Sequence, residues 1–194
     1  PLLYRKYDPE LFDALQRIVC VQKDRSIKQI EEEGLFDAKY FSETLEGDRA
    51  IWHKTALEQT QGSEVVFLDP DNGLETFNMY NKGKAKNKHV KWGELKDYYD
   101  RGQNVILYQH RPQMTKKEKC IEGIMQFQNE YLKAGGVKLL EFPKYTNRYY
   151  FIFFHDEYRG AFEKVCGFMT KQFGENDFCR EIVLNQESCD VKTN

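Results

Sequence analysis

The sequence predicts a three-layer α/β domain built on a mixed sheet, with a helical N-terminal segment and an antiparallel C-terminal hairpin. Helical hydrophobic spacing runs through the first third of the chain. The wholly apolar run at 65–68 is typical of a strand buried on both faces of a parallel sheet, and two strand patterns flank residues 143–147. Alternating strands and helices of this kind favour an α/β architecture.

Composition limits the class of protein further. The chain has 194 residues, with 29 Lys and Arg against 31 Asp and Glu, and a formal net charge of -2. This balance gives no global basic field, so contact with nucleic acid needs a local patch. No apolar run reaches the length of a membrane span and the signal-peptide pattern is missing, so we expect a cytoplasmic protein with no membrane partner.

We expect a single domain overall, in which residues 1–62 form a helical segment packed on the sheet, 63–185 form the α/β region and 186–194 form a flexible tail. Four helices are predicted in the first part: 9–20 after the capping residue Asp8, a short helix from Ser26 to Gly34, one capped by Asp37 that holds Tyr40, Phe41 and Leu45, and a weaker helical pattern over 48–60.

The α/β region is predicted to alternate strands and helices. Its elements, in order, are a strand at 65–68, a helix near 92–101, a strand at 104–108, a helix from Thr115 to about 134, strands at 137–142 and 148–154, a helix capped by Asp156, and a short strand at 181–184. The strands at 65–68 and 104–108 are expected to be parallel, whereas the later pair forms the hairpin.

Polar residues follow both parallel strands at the point where ligands bind in open α/β sheets. They are Asp69, Asp71, Asn72 and Glu75 after one strand, and Gln109, His110 and Arg111 after the next. We expect the two groups to face one crevice. Asp69, Asp71 and Glu75 have the oxygen ligands that Mg²⁺ or Mn²⁺ prefers, and Asp69, Asp71, His110 and Arg111 are the candidate catalytic residues.

Simpler explanations exist for both groups. Asp69-Pro70 followed by Asn72-Gly73 is also a common tight-turn pattern, and His110 with Arg111 also fits a solvated strand end. A basic segment lies just beyond the acidic turn, with candidate nucleic-acid contacts at Lys82, Lys84, Lys86 and Lys88. A mobile, solvated loop would have the same composition. The aromatic stretch at 149–154 is predicted to be strand core and not a base-stacking platform.

Several common activities lack their motifs. The chain has no G-x-G dinucleotide fingerprint, no G-x-x-x-x-G-K-[ST] phosphate loop and no G-x-S-x-G nucleophile elbow. Hydride transfer, nucleoside triphosphate hydrolysis and esterase chemistry are therefore not expected.

Four segments carry a resemblance to a known family: Asp8-Pro9-Glu10-Leu11-Phe12-Asp13-Ala14-Leu15, Arg25-Ser26-Ile27, Val66-Phe67-Leu68-Asp69-Pro70-Asp71-Asn72-Gly73-Leu74-Glu75 and Leu107-Tyr108-Gln109-His110. Over about residues 8–112 the chain resembles a family of largely uncharacterised bacterial and prophage proteins. The resemblance implies a phage or mobile-element origin.

The corner at Asp69-Pro70 also resembles the D-P-P-aromatic corner of class I S-adenosylmethionine-dependent adenine methyltransferases. In that family an Asp or Asn accepts a hydrogen bond from the target amine, and an aromatic residue stacks on the base. Here Asp71 replaces the second proline, Asn72 replaces the aromatic residue, and no glycine-rich motif for the methyl donor precedes them. The resemblance therefore implies a methyltransferase-like, Rossmann-like fold more than it implies methyl transfer.

Three functional hypotheses remain open. The first is a protein that binds or acts on a nucleotide or nucleic acid, by metal-dependent phosphodiester chemistry if Asp69 and Asp71 hold a cation. The second is a non-catalytic module that binds a protein partner in phage and host-defence conflict. The third is a nucleic-acid methyltransferase that uses S-adenosylmethionine.

Overall fold

The computed structural model describes residues 4–23, 26–75, 87–111, 116–144, 147–174 and 177–184. The chain divides into two compact units, Pro1–Ser63 and Glu64–Asn194. The division lies beside the predicted end of the helical segment. In the described part of the chain, no helix is long and apolar enough to cross a membrane. The predicted tail at 186–194 and the predicted cap at Thr115 lie outside the described residues.

The first unit is helical. Its helices are α1 (Pro9–Gln16), which continues as a π-helical turn over Arg17–Gln22, α2 (Ile27–Glu32) and α3 (Arg49–Gln59). Asp8 caps α1 as predicted, because its carboxylate accepts a hydrogen bond of 2.9 Å from the Leu11 amide. Ser26 precedes α2 as predicted but makes no side-chain cap bond.

The helix predicted from Asp37 is wrong, because no helix forms between α2 and α3. Contacts with α3 hold this segment in an irregular path. The Phe41 ring packs on Trp52 with centroids 5.2 Å apart, and the Trp52 indole donates a 2.8 Å hydrogen bond to the Glu43 carbonyl. Lys39 also donates to the carbonyl of Gln61, just beyond α3. These longer-range bonds outweigh the local helical pattern.

The second unit is a mixed α/β fold. Its strands are β1 (Val65–Leu68), β2 (Gly73–Leu74), β3 (His89–Val90), β4 (Asn104–His110), β5 (Gly136–Phe142), β6 (Arg148–Phe154) and β7 (Arg180–Glu181). Its helices are α4 (Trp92–Asp100), α5 (Lys117–Gln126), which continues as a π-helical turn over Phe127–Leu132, and α6 (Arg159–Phe173), which follows a 3-10 turn at Asp156–Tyr158.

The main sheet is mixed, as the sequence predicts. Its five strands run in the order β1-β4-β6-β5-β7. β1 and β4 are parallel, and β6 pairs antiparallel with both β4 and β5, so the C-terminal hairpin is confirmed. β2 and β3 form a separate parallel pair.

Each face of the sheet has its own apolar cluster. On one face Phe127, in the turn that continues α5, packs edge-on against Phe153 of β6 at 5.9 Å between centroids. On the other face Phe162 and Cys166 of α6 pack with Ile152 of β6 and Leu140 of β5. Burial of these rings and aliphatic side chains supplies the main stabilisation of the unit.

β1 departs from the prediction that it is buried on both faces. Val66 is buried, but Val65 is 40% exposed and Phe67 is 54% exposed. The physical reason lies in the strand order, because β1 is the outer strand of the described sheet. The apolar cluster of α6 centres on β6 and β5, the second and third strands from β1, and it includes no β1 side chain.

Candidate functional site

The polar residues that follow β1 and those at the end of β4 lie at one end of the sheet, as parallel pairing requires. β4 runs to His110, two residues beyond the predicted strand end, so Gln109 and His110 belong to the strand. Leu68 pairs with Leu107, so the chain beyond Leu68 runs beside the last residues of β4. Successive strand residues point to opposite faces, so Tyr108 and His110 share one face while Gln109 lies on the other. The predicted crevice is therefore divided by the sheet itself.

One face carries a cluster that we call the acid–aromatic face, formed by Phe67, Asp69, Tyr108 and Tyr150. The Tyr150 ring stacks on Phe67 at 6.2 Å between centroids and lies 5.7 Å from Tyr108 in a tilted arrangement. Phe67 is exposed, whereas Tyr108 and Tyr150 are half-buried. Half-exposed rings of this kind offer a planar ligand an apolar surface on which to stack.

Asp69 adds a carboxylate to these rings. Burial raises the pKa of the Asp69 carboxyl, and the charge of Asp71 raises it further. Burial also raises the pKa of the Tyr150 hydroxyl, and the negative charge of Asp69 is the next cause, so the two groups lie near each other. The face thus combines a carboxylate acceptor with the Tyr150 hydroxyl, which keeps its proton at neutral pH.

His110 extends the same face towards solvent. It pairs across the sheet with Arg148 of β6, and its ring is half-buried. His110 therefore lies on the same face of the sheet as Tyr108, because side chains two residues apart in β4 point the same way.

Asp71 lies in the turn beyond Asp69 and pairs with the basic segment. Its carboxylate is 3.1 Å from the Lys88 ammonium, with both side chains largely exposed, and the Asn72 amide donates a 3.0 Å hydrogen bond to the Lys88 carbonyl. An exposed pair of this kind contributes little stability. The other predicted nucleic-acid contacts, Lys82, Lys84 and Lys86, lie outside the described residues.

Glu75 has a structural task. One of its carboxylate oxygens accepts a 3.1 Å hydrogen bond from the Trp92 amide at the start of α4, and its carbonyl accepts a 2.8 Å bond from the Trp92 indole. Within the described ranges, no three His, Cys, Asp or Glu residues come together in a group that could hold a metal ion. The structure therefore does not assemble Asp69, Asp71 and Glu75 into a set of three ligands.

Gln109 is structural as well. Its side-chain oxygen accepts a 2.8 Å hydrogen bond from the Leu74 amide, and its side-chain nitrogen donates to the carbonyls of Asn72 at 3.0 Å and His110 at 2.8 Å. The buried amide therefore ties the turn beyond Asp69 to β4. Arg111 follows β4, and its guanidinium lies 2.7 Å from the Asn147 side-chain amide, whose oxygen accepts the hydrogen bond once the amide is assigned the orientation that satisfies both of its ends.

Sequence reasoning missed the aromatic part of the site. Phe67 was expected in a doubly buried strand, and Tyr150 belongs to a stretch expected to be wholly core. The available signal was the two-residue spacing of Phe67 and Asp69, which places both side chains on one face of an extended chain. That spacing predicts an apolar and an acidic group side by side at the strand exit.

Known proteins provide no match from which a function could be transferred. No protein-family model, no curated protein and no solved structure matches the chain. Function is therefore inferred from side-chain chemistry and geometry.

Proposed function

We propose that this protein binds a nucleotide or nucleic acid through the acid–aromatic face. A base stacks against the rings of Phe67, Tyr108 and Tyr150, and Asp69 accepts a hydrogen bond from an amino group of that base. The observation that carries the proposal is the half-exposed ring cluster with a carboxylate beside it, at the carboxyl ends of the parallel strands. Base stacking on such rings tolerates different bases, and a carboxylate favours those with an exocyclic amine.

The basic segment supports the same proposal. The Lys88 ammonium lies 3.1 Å from the carboxylate of Asp71, which is two residues beyond Asp69. Lys82, Lys84 and Lys86 precede Lys88 in the sequence. We propose that these lysines contact the phosphate backbone of a bound single strand. Their contribution depends on salt, because released counterions supply much of the free energy of such contacts.

A methyltransferase-like three-layer arrangement belongs to this proposal, on the strength of the Asp69-Pro70 strand exit. An origin in a phage or another mobile element belongs to it as well, on the strength of the four segments that carry the resemblance over residues 8–112. The proposed activity is binding. Metal-dependent phosphodiester cleavage gains no support from the described residues, since Glu75 is engaged by Trp92 and not directed to Asp69 and Asp71.

The test is equilibrium binding of nucleosides and short single-stranded oligonucleotides to the wild type and to variants of the face. Tyr150→Leu removes the central ring, whereas Tyr150→Phe keeps it. Stacking contributes about 1–3 kcal/mol per base, so Tyr150→Leu should weaken binding roughly tenfold to a hundredfold and Tyr150→Phe much less. Asp69→Asn should weaken binding of bases with an exocyclic amine more than binding of uridine or thymidine.

Glu122→Gln is the matched control, because Glu122 is an exposed acid on α5 and α5 does not contribute to the acid–aromatic face. It should bind as the wild type does. Equal affinities for the wild type, Tyr150→Leu and Asp69→Asn would refute the proposal. A parallel titration with S-adenosylmethionine tests methyl transfer, which requires donor binding that Asp69→Asn weakens.

A second candidate function is binding of a protein partner along β1. The observation that favours it is the outer position of this strand with Val65 and Phe67 exposed, because uncovered edge strands are templates for pairing with another chain. Two results together would favour this candidate over the first: the wild type binds no nucleoside, and a protein that co-purifies with the wild type is lost from the Phe67→Ser variant.

A further inference from the structure

Two basic side chains continue the acid–aromatic face beyond its rings. His110 lies two residues after Tyr108 in β4, and Arg148 lies two residues before Tyr150 in β6, so both point to the same face as the rings. The register of the two strands pairs His110 directly with Arg148. Directly opposite residues of an antiparallel pair have Cβ atoms about 4.5–5.5 Å apart, so the imidazole and the guanidinium can bind one common group.

The Arg148 guanidinium has no acidic neighbour on this face. Its neighbours are His110 across β4, Phe142 across β5 and Tyr150 two residues further along β6. The side chain is exposed, and it makes no hydrogen bond or ion pair with any residue that the structure describes. Four other arginines each form an ion pair with a carboxylate: Arg5, Arg17, Arg159 and Arg180. Arg148 thus keeps its donors for a ligand.

The carboxylate of Asp69 lies at the other end of the face. The registers of β1 with β4 and of β4 with β6 put two strand spacings and two residues between Asp69 and Arg148. The Cα atoms of these two residues are therefore about 12 Å apart. One ligand can contact both only if it is long, carries a donor at one end and is anionic at the other.

Tyr150 lies between the two charged ends. Its ring is 5.7 Å from that of Tyr108 and meets the ring of Phe142 edge-on at 5.3 Å, both between centroids. Burial and the negative charge of Asp69 raise the pKa of the Tyr150 hydroxyl, whereas the positive charge of Arg148 lowers it. The hydroxyl therefore feels both ends of the face, as the register requires.

We propose that the ligand of this face is a nucleotide that carries a phosphate, with its base stacked on Tyr108 and Tyr150 and its phosphate between His110 and Arg148. The inference rests on the proposed function and deepens it, because it specifies a charged nucleotide in one orientation. A guanidinium binds phosphate through two parallel hydrogen bonds, and a neutral imidazole supplies one N–H donor. Asp69 repels the phosphate and so keeps it at the opposite end.

The test compares adenosine with adenosine 5′-monophosphate as ligands of the full chain, by equilibrium binding at constant ionic strength. The wild type should bind the monophosphate about tenfold more tightly, because hydrogen bonds between charged groups are the stronger ones. Arg148→Gln should remove most of this preference and leave the affinity for adenosine within about twofold. Asp69→Asn should weaken binding of both ligands and keep the preference for the monophosphate.

Two further variants separate a local contact from a general loss of charge. Lys119→Gln is the matched control, since it removes one positive charge from an exposed position on α5, which does not contribute to the face. It should keep both affinities within about twofold. Arg148→Lys keeps the charge but loses the planar guanidinium, so it should retain only part of the preference for the monophosphate.

The outcomes distinguish this inference from the proposed function. Equal affinity of the wild type for adenosine and its monophosphate, or a preference that Arg148→Gln leaves unchanged, would overturn the inference and leave base binding intact. Conversely, suppose that only the monophosphate binds, that Arg148→Gln weakens it and that Tyr150→Leu does not. Base binding would then be overturned and the phosphate contact supported. No binding of either ligand would overturn both.

A free nucleotide and a phosphate within a single strand share this chemistry, and an oligonucleotide without terminal phosphates distinguishes them. If the oligonucleotide binds at least as tightly as the monophosphate and Arg148→Gln weakens its binding, the phosphate belongs to a strand. If the monophosphate binds more tightly, the ligand is a free nucleotide.

Discussion

Replacement of Gly73 by alanine should destabilise the second unit more than an ordinary glycine substitution. Gly73 has φ of +96°, and a Cβ atom added there would lie 2.1 Å from the side-chain oxygen of Gln109. That contact is far inside van der Waals distance, so the Gln109 amide must move. The same amide makes three hydrogen bonds, to Leu74, Asn72 and His110, and moving the amide would break them.

The magnitude follows from two contributions. A side chain at positive φ costs about 1 kcal/mol, and three lost hydrogen bonds cost about 1 kcal/mol each when the groups stay buried. Gly73→Ala should therefore lower the free energy of unfolding by roughly 3–4 kcal/mol. For a unit of this size, about 1 kcal/mol corresponds to roughly 3–5 °C in Tm.

Gly102 offers a matched control. It has φ of +93°, yet a Cβ atom there meets nothing within 4 Å. Gly102→Ala should thus show the backbone cost alone, about 1 kcal/mol. Urea unfolding followed by tryptophan fluorescence measures both variants, and Trp92 reports on the region because its indole is bonded to the Glu75 carbonyl.

A double-mutant cycle with Gln109→Ala tests the cause directly. If the clash with Gln109 is responsible, Gly73→Ala should cost only about 1 kcal/mol in the Gln109→Ala background, a coupling of roughly 2–3 kcal/mol. A Gly73→Ala variant as stable as Gly102→Ala, or a penalty unchanged by Gln109→Ala, would refute the reasoning.

Three further predictions concern stability. Glu141→Gln should cost about 1–3 kcal/mol at neutral pH. Burial alone would raise the pKa of the Glu141 carboxyl, but its hydrogen bonds with Arg180 and Lys117 make this pKa lower in the folded protein than in the unfolded chain. The contribution of Glu141 to the free energy of unfolding is therefore complete above the unfolded pKa of about 4.3 and is lost as the pH falls through the folded value. The urea midpoints of Glu141→Gln and the wild type should thus converge in acid but not in base. Tyr99→Phe should cost about 1–2 kcal/mol in thermal unfolding, since the hydroxyl bonds the Gly135 amide at 2.9 Å and the Phe154 carbonyl at 3.2 Å; an unchanged Tm would contradict this. Asp48→Ala should speed amide exchange in the first turn of α3 and cost about 1 kcal/mol, because the carboxylate accepts from the Ala50 amide at 2.7 Å. Exchange as slow as in the wild type would show that this cap is dispensable.

The sequence predicted element types well where the pattern is local. Three elements with strong local patterns and clear boundary residues form as predicted: the strand at the apolar run Val65–Leu68, the helix at Trp92–Asp100 and the hairpin of β5 and β6. The helix expected from Asp37 failed because its competitors, the bonds from Trp52 and Lys39, are distant in sequence.

The candidate site was predictable only in part, since its layout depends on strand order. The position of Asp69 and His110 at one sheet end follows from parallel pairing, which the pattern indicates. The exposure of Phe67 follows from β1 being the outer strand, and no local pattern carries that information. Tyr149 and Tyr150 are chemically identical neighbours, yet side-chain alternation along β6 places Tyr149 on one face of the sheet, in register with Gln109 and Glu141, and Tyr150 on the acid–aromatic face.

The parallel pairing of β2 with β3 bears on how the sequence between these two strands can change in length and lysine content. Gly73 pairs with His89 and Leu74 with Val90, so the chain on either side of residues 76–86 is held at fixed, adjacent points. Where two points of a chain are fixed in this way, doubling the length of a flexible connection between them costs only about 0.6 kcal/mol. We therefore expect that the number of lysines in this part of the sequence can change with little effect on the sheet. If these lysines contact a phosphate backbone as proposed, affinity for nucleic acid and resistance to unfolding can change independently of each other.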